Sequence, residues 1–323
     1  MKKGLKVFAT VLLAGVLFGF AGCKGEAEGT VAVESVTITS TVTEVTVEST
    51  ITLKATVSPD NATDPSVTWT SSDKTVATVD SSGVVTGVKA GTATITAKAG
   101  EKSATVGITV NRKVVVGDII LQDLTIVSSE GYAKNESNPA VAVVAGFNAN
   151  GAAIGLGLKK SDSSLMWAKS NTTGYNTMFT DIIANYSGNT SSGYTFTGDC
   201  DGSDNWEYIC SVDLEGTKDA ATNYPAFNFA NTYGTTQGYT DDLASGWYIP
   251  SISELYEIYK NKETLQTSLT KVSGFTIGTS YYWSSSQSSS NSKLAYELNF
   301  SDGTVGSYRK YDSSSNVLVV RAF

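Results

Sequence analysis

Short stretches of alternating hydrophobic and polar residues fill the first third of the chain. Threonine and valine are abundant between residues 34 and 110, and turn residues such as Pro59, Asp80 and Gly100 interrupt the alternation. The apolar positions of two such stretches are Ile51, Leu53, Ala55 and Val57, and Ala104, Val106, Ile108 and Val110. Because the side chains of a β-strand point alternately to its two faces, these stretches predict strands with one buried face. The turn spacing is typical of a small sandwich, and we predict an all-β domain over residues 34–112.

The rest of the chain has apolar residues at both strand-like and helix-like spacing, and this combination predicts an α+β domain over residues 113–323. Residues 114–127 and 140–158 have the apolar, glycine-interrupted pattern of strands. Apolar residues then recur at helical spacing, which predicts an amphipathic helix. These residues are Tyr175, Met178, Phe179, Ile182, Ile183 and Tyr186. Ser251 and Glu254 have the spacing of a capping box, which predicts the start of a second helix.

Strand patterns return near the C-terminus. An alternating apolar set is formed by Leu294, Tyr296, Leu298 and Phe300. The pair Asp302-Gly303 follows and predicts a hairpin turn. Residues 317–323 are almost continuously apolar, which predicts a strand in the middle of a sheet.

Residues 1–22 have the layout of a secretory signal, in which lysines precede an apolar core from Val7 to Phe20. The core is too short to cross a bilayer comfortably. Residues 20–23, Phe-Ala-Gly-Cys, resemble the lipobox of bacterial lipoproteins, which implies cleavage before Cys23 and lipidation of that cysteine. Several acyl chains would anchor the mature protein to a membrane. Residues 23–33 are then a polar tether, and ordinary signal cleavage is the alternative.

Cys200 and Cys210 are the other two cysteines of the chain. An exported protein folds in an oxidising compartment, where a close pair of cysteines is normally oxidised. We therefore predict a structural disulfide between them. Closing so short a loop should stabilise the fold by about 2–4 kcal/mol.

The chain contains no histidine. Because histidine is the most common general base and zinc ligand, histidine-dependent catalysis is excluded. The formal net charge is −8, and it becomes more negative when the leader lysines are removed. A surface of this charge repels phosphate backbones, which argues against a nucleic-acid partner. We expect no cofactor.

The segment 67–97 contains the pattern Trp-x-Ser-Ser from Trp69, followed by Gly83, Gly87 and Gly91. It resembles the group-two bacterial immunoglobulin-like domain of intimin- and invasin-type surface proteins. The resemblance implies an immunoglobulin-like sandwich in which Trp69 belongs to the core. Domains of this family serve as spacers and sometimes as adhesive modules, so the resemblance implies a place outside the cytoplasm.

Three blocks of the second domain resemble another family. Residues 246–255 match the pattern Gly-Trp-x-x-Pro-Ser-x-x-Glu-Leu, residues 282–285 are Tyr-Trp-Ser-Ser, and the chain ends with Val320-Arg321 before its last two residues. This order is similar to bacterial C-terminal domains with the C-type-lectin fold, of the formylglycine-generating-enzyme type. The resemblance implies an α+β, C-type-lectin-like fold. It does not imply the enzyme's chemistry, because its active cysteine pair has no counterpart here.

Residues 284–292 are rich in serine. In the implied fold, Trp283 and Ser284 lie in a core strand and residues 288–292 form a surface loop. A serine without a neighbouring base is a weak nucleophile, so we predict a binding surface rather than a catalytic site. The segment 281–316 is dense in tyrosine, serine and asparagine, as antibody binding surfaces and the variable proteins of diversity-generating retroelements are. The candidate ligand-binding residues are Tyr281, Ser288, Asn291, Tyr308, Tyr311 and Asn316. The alternative is a merely solvated loop.

Two acidic groups suggest other chemistry. Asp199, Asp201 and Asp204 could offer oxygen ligands to calcium, but their order is not that of an EF-hand, and a solvated loop is the preferred interpretation. Asp241 and Asp242 could be half of a glycosidase pair, but nothing in the sequence fixes a partner at the required separation. We predict neither a metal site nor an enzyme.

These features together predict a lipid-anchored protein of the bacterial cell envelope, at the outer membrane or cell surface. Its immunoglobulin-like domain would be a stalk, and its C-type-lectin-like domain would be an adhesin or ligand-binding head. The partner would be an extracellular or envelope macromolecule, either protein or glycan. A structural lipoprotein without a ligand and a carbohydrate-active enzyme are the alternatives.

Overall fold

The structure, a computed structural model, describes residues 29–40 and 42–323. The predicted signal peptide, the lipidation site Cys23 and the first part of the tether lie outside the described residues. Within the described ranges, no helix is both long enough and apolar enough to span a membrane. The chain divides between Lys113 and Val114 into two compact units, called here the N-terminal and C-terminal units.

The N-terminal unit consists of β-strands. These are β1 (Ser35–Thr39), β2 (Glu44–Thr46), β3 (Thr50–Thr52), β4 (Lys54–Ser58), β5 (Thr68–Ser71), β6 (Ala77–Val79), β7 (Val84–Gly87), β8 (Gly91–Ala99) and β9 (Lys102–Asn111). They form sheets with the strand orders β2-β9-β8-β5, β3-β7-β6 and β1-β4. The alternation predicted over residues 104–110 is confirmed, because Ile108 and Val110 are buried and the intervening residues are exposed.

The apolar run that starts at Ile51 is shared between two sheets. Ile51 lies in β3, whereas Ala55 and Val57 lie in β4. Leu53, between the two strands, is buried, and its amide donates to the carbonyl of Gly83. Gly83 has a φ of +84°, and a Cβ there would lie 2.6 Å from the oxygen of Leu53. Glycine is therefore required at this turn, which also lies against the ring of Trp69.

The C-terminal unit contains both helices and strands. Its strands are β10 (Ile119–Leu121), β11 (Ile126–Val127), β12 (Ala140–Phe147), β13 (Ala153–Gly157), β14 (Ile183–Asn189), β15 (Gly193–Gly198), β16 (Tyr281–Ser288), β17 (Leu294–Asn299), β18 (Val305–Arg309) and β19 (Val320–Ala322). Its helices are α1 (Thr173–Asn176), α2 (Asn205–Val212), α3 (Ala220–Asn223), α4 (Pro225–Asn231), α5 (Tyr233–Thr236), α6 (Ile252–Lys260) and α7 (Lys262–Val272). Short 3-10 turns lie between some of these elements.

Two five-stranded sheets organise this unit, with the orders β11-β10-β12-β13-β19 and β15-β14-β16-β17-β18. Strands β16, β17 and β18 form an antiparallel meander, and β14 joins β16 in parallel. Both faces of β16 and β17 are covered. On one face Tyr282 and Leu298 belong to the core that includes Leu255 of α6, whereas on the other Trp283 and Ala295 belong to a second core.

The predicted helix over residues 175–186 is wrong. Helix α1 ends at Asn176, a 3-10 turn follows, and β14 begins at Ile183. The amide of Phe179 donates to Oε1 of Gln287 at 2.9 Å, and Ile183 pairs with the same residue in the parallel ladder. Pairing with β16 therefore overrides the helical spacing, although Phe179 and Ile182 are buried as that spacing required.

The C-terminal strand differs from its prediction in position. Residues 317–320 are completely buried, but β19 is only three residues long and lies at the end of its sheet. The outer edge of β19 is nevertheless hydrogen-bonded, because Val320 and Tyr248 exchange two backbone hydrogen bonds of 2.9 Å each. A continuous apolar run can thus mark an edge strand that another segment covers.

Helix α6 is confirmed, including its capping box. Ser251 Oγ accepts from the amide of Glu254 at 3.2 Å, and the carboxylate of Glu254 accepts from the amide of Ser251 at 2.8 Å. Leu255 and Ile258 are buried as predicted.

Lys310 is completely buried. Its Nζ donates to the carbonyl oxygen of Gly174 at 2.7 Å and lies 4.3 Å from the ring centroid of Trp167 and 5.3 Å from that of Phe179. The described residues provide it with no ion pair. Desolvation accordingly lowers the pKa of Lys310 well below its usual value.

We predict that Lys310→Met is at least as stable as the wild type at about pH 7, because burying an unpaired ammonium costs more than the hydrogen bond to Gly174 contributes. The folded-state pKa is lowered, so the unfolded chain binds more protons, and wild-type stability should rise with pH towards about pH 10. Urea denaturation of both proteins across this range measures the difference. Parallel stability curves would show that Lys310 does not titrate on unfolding.

Candidate functional site

The family block over residues 246–255 is organised around the carboxylate of Glu254. Its Oε2 accepts from the amides of Ser251 at 2.8 Å and Gly202 at 2.9 Å, and its Oε1 accepts from the hydroxyl of Tyr248 at 2.9 Å. Desolvation raises the pKa of Glu254. Because both of its oxygens accept hydrogen bonds inside the fold, this carboxylate is structural.

The acidic loop before α2 is tied into the same region. Oδ2 of Asp199 accepts from Nδ2 of Asn205 at 2.7 Å and from Oγ of Ser286 at 3.3 Å. Burial raises the pKa of Asp199, whereas Asp201 and Asp204 are exposed. In the part of the chain that the structure describes, no three acidic or cysteine side chains are grouped to hold a metal ion. The loop therefore anchors α2 to β16.

The predicted disulfide between Cys200 and Cys210 is not formed in this structure, and both thiols are free. Cys200 lies in the loop near Ser253, whereas Cys210 lies on α2 near Thr217. Burial raises the pKa of both thiols. The two cysteines face different neighbours because α2 begins between them.

Three of the six predicted ligand-binding residues have structural contacts instead. Ser288 is the last residue of β16 rather than part of a loop, and only 3% of its surface is exposed. Tyr311 is half-buried against the ring of Tyr175, with ring centroids 5.5 Å apart. The side-chain amide of Asn316 donates to the carbonyl of Ser161 at 3.1 Å. Tyr311 and Asn316 therefore hold the C-terminal segment in place, and Ser288 is buried at the end of β16.

The other three predicted residues are exposed. Asn291 lies in the turn between β16 and β17. Tyr281, the first residue of β16, is 47% exposed, and Tyr308 in β18 is 46% exposed. The segment does present aromatic surface, but at two strands rather than along a serine-rich loop.

The register of the meander places these two tyrosines around Glu297 of β17. Glu297 is directly opposite Trp283 of β16 on one side and Gly306 of β18 on the other. Tyr281 is two residues before Trp283 and Tyr308 is two residues after Gly306, so both lie diagonally from Glu297 on the same face of the sheet. Diagonal neighbours of this kind lie about 7–8 Å apart, within reach of a tyrosine or glutamate side chain.

Glu297 is recessed, with 8% of its surface exposed. Its Oε2 accepts from Oγ of Ser315, and among the described residues no other donor reaches its carboxylate. The only fully buried side-chain polar atom without a partner in the described ranges is Oδ1 of Asn205, so Oε1 of Glu297 retains contact with solvent. Desolvation raises the pKa of Glu297, and the bond from Ser315 opposes that shift only in part.

Gly306 keeps this carboxylate open. A Cβ at position 306 would lie 4.0 Å from Oε1 of Glu297, so any longer side chain would extend over that oxygen. We call the site formed by Glu297, Gly306, Ser315 and the two flanking tyrosines, Tyr281 and Tyr308, the Glu297 notch. It offers a hydrogen-bond acceptor with negative charge between two aromatic rings.

The sequence did not predict Glu297 as a functional residue. In the alternating pattern of β17 it occupies the face opposite Leu298, where a charged residue normally faces water. The return of the C-terminal segment over this face buries it, and only three-dimensional contacts reveal that. Tyr281 and Tyr308 were found because their residue type is itself typical of binding surfaces.

Comparison with protein families matches both units. Residues 32–110 match the bacterial Ig-like domain (group 2), which confirms the predicted immunoglobulin-like domain. Residues 158–321, about half of the chain, match the Lcl C-terminal domain.

Individual relatives match only parts of the chain. An Ig-like virion protein of Serratia phage KSP90 is 40% identical over 108 residues, which are 32% of this chain and 39% of the phage protein. A 3-O-alpha-D-galactosyl-alpha-L-arabinofuranosidase of Bifidobacterium longum subsp. longum is 64% identical over 47 residues of the Ig-like part. That match covers 15% of this chain and 4% of the enzyme.

Among solved structures, a fimbrial protein from Bacteroides ovatus ATCC 8483 aligns over 87% of this chain and 68% of its own, with 15% identity and a TM-score of 0.48. The intimin-Tir90 complex aligns over 27% of this chain and 54% of its own, with 22% identity and a TM-score of 0.22.

We predict that Glu297→Gln stabilises the protein at neutral pH. The raised pKa means that the folded state binds the Glu297 proton more tightly than the unfolded chain, so wild-type stability falls as pH rises above about 4.3, the ordinary value. Glutamine does not titrate and can still accept from Ser315. The advantage of the variant, measured by thermal unfolding, should therefore grow from acid to neutral pH.

The exposed Glu263→Gln removes the same charge and is the control, with no stabilisation expected. A wild type that is more stable than Glu297→Gln at every pH would show that Glu297 is a structural residue.

Proposed function

The chain belongs to the Lcl C-terminal domain family, and from this membership and the preceding Ig-like domain we propose that it is a ligand-binding protein of the bacterial cell envelope. The Ig-like domain is a spacer, and the C-terminal unit is the binding head. We further propose that this head has a C-type-lectin-like fold, as its three sequence blocks imply. Its partner is an extracellular or envelope macromolecule.

One observation supports a binding role above the others: the Glu297 notch exposes two tyrosines beside a recessed carboxylate with an open oxygen. A carboxylate in such a position costs stability unless something binds it, because its desolvation is only partly compensated. Binding surfaces commonly retain such groups at the expense of stability. The polar residues of β16 do not share this property, since their partners lie inside the fold.

A location in the cell envelope is supported by the sequence and by one relative. The N-terminal residues have the layout of a lipoprotein signal ending at Cys23. The relative is the Ig-like virion protein of Serratia phage KSP90, which by its name belongs to a virus particle. We propose that acyl chains on Cys23 hold the mature protein at the outer membrane or cell surface.

We propose no catalytic role. The chain lacks histidine, and its match to an arabinofuranosidase covers only 4% of that enzyme.

We predict that Tyr281→Ala combined with Tyr308→Ala weakens binding by about tenfold or more, because exposed aromatic anchors contribute most of the energy of such interfaces. An array of extracellular-matrix proteins, envelope proteins and glycans, probed with both proteins, provides the measurement. Tyr186→Ala is the matched control, since Tyr186 is 41% exposed and lies elsewhere, on β14. Unchanged binding by the double variant would remove this face from the proposal, and hydrolysis of a glycan would support an enzyme instead.

A second prediction concerns the anchor. Expressed in a Gram-negative host, the wild type should partition into the detergent phase of a Triton X-114 extraction, and Cys23→Ala should move to the aqueous phase, because acyl chains supply the membrane affinity. Equal partitioning of the two proteins would show that Cys23 is not lipidated.

A further inference from the structure

The open acceptor of the Glu297 notch lacks a counter-ion. Among the described residues, no lysine or arginine forms an ion pair with Glu297, and Ser315 is its one hydrogen-bond donor. An ionised carboxylate only accepts hydrogen bonds, so whatever binds its free oxygen must donate. The donor with the largest gain is a cation, which would also neutralise a charge held away from water.

We propose that the Glu297 notch binds a lysine or arginine side chain on an extended, basic segment of a partner protein. This inference rests on the proposed binding function of the head and specifies the chemistry of its ligand. The ammonium or guanidinium group would enter between Tyr281 and Tyr308 and reach Oε1 of Glu297 past Gly306. Tyrosine faces attract cations, so the two rings and the carboxylate favour the same kind of group.

The C-terminal unit already binds its own cations in this way. Nζ of Lys262 lies 4.5 Å from the ring centroid of Tyr259, and Nζ of Lys260 lies 5.4 Å from that of Tyr256. The Glu297 notch has the rings and the acid, but the chain contributes no cation to it among the described residues. The net charge of −8 acts in the same direction, since it attracts basic partners and repels sulfated or phosphorylated ones.

The position of the notch favours an extended segment over a free amine. Strand β18 is the last strand of its sheet, and the described residues add no further strand beside it. Residues 307–309 are exposed. An unpaired edge strand can take up an extended peptide through main-chain hydrogen bonds, and alternate side chains of that peptide then face one side of the sheet. A basic side chain opposite Gly306 would lie over the notch.

The test uses the full chain and three synthetic peptides of equal length. One alternates lysine with threonine, one glutamine with threonine, and one glutamate with threonine. We expect the lysine peptide to bind about tenfold or more tightly than the glutamine peptide, and the glutamate peptide not to bind. Calorimetry gives the affinities, and amide chemical shifts of Gly306 and Tyr308 report the place of binding.

Two variants locate the effect. Glu297→Gln removes the charge, and Gly306→Val covers the carboxylate with a side chain suited to a strand, at a glycine whose φ is not in the left-handed region. Each should reduce the affinity for the lysine peptide by about tenfold. Glu263→Gln, which changes the net charge equally, should leave it unchanged. Circular dichroism verifies that each variant is folded.

Equal affinity for the lysine and glutamine peptides would overturn the proposal, and so would an equal loss in Glu263→Gln and Glu297→Gln. If a neutral glycan shifted the amide signal of Gly306 and none of the peptides did, the ligand of the notch would be a sugar and not a basic segment. Each of these outcomes would refute the cationic ligand but would not refute the proposed binding function of the head. Macromolecular binding that is lost in the double tyrosine variant but insensitive to Glu297→Gln would leave the head a binding domain and refute only the cationic ligand.

Discussion

The C-terminal unit depends on the burial of both faces of strands β16 and β17. One face packs on α6, and the other packs in the core that contains Trp167 and Val317, while the backbone of Asn316 pairs with those of Tyr281 and Trp283 at the edge of β16. Two-sided burial means that a polar residue at any position must find a partner inside the fold or carry an energetic cost. Glu297 and Lys310 carry that cost most visibly.

This constraint explains the serine-rich stretch. Oγ of Ser284 donates to the carbonyl of Tyr296 at 3.0 Å, Oγ of Ser286 accepts from the amide of Ile252 at 3.0 Å, and Oγ of Ser285 accepts from Nδ2 of Asn205 at 2.8 Å. A small hydroxyl side chain permits close approach of neighbouring segments and still satisfies their polar groups. The stretch is therefore a polar seam in the core, joining β16 to α2, α6 and β17.

The sequence predicted what local patterns control. Alternation identified the sandwich strands, and the Ser251–Glu254 spacing located the start of α6, because both signals depend on neighbours in the chain. It failed where distant segments decide the outcome. Phe179 and Ile183 have helical spacing but lie beside Gln287, and Cys200 and Cys210 are close in sequence but are separated by the start of α2. Glu297 was missed for the same reason, since its burial depends on Ser315.

Gly306 gives the head a property that no core residue could provide. Gly306 has no side chain and lies at the rim of the sheet, next to the carboxylate of Glu297 and to no packed hydrophobic group. A single replacement there therefore alters which ligands can enter the Glu297 notch without disturbing the rest of the fold. Positions of this type allow one stable architecture to acquire new selectivities through small genetic steps. The strand edge of this domain is thus a natural place for functional divergence between otherwise similar heads.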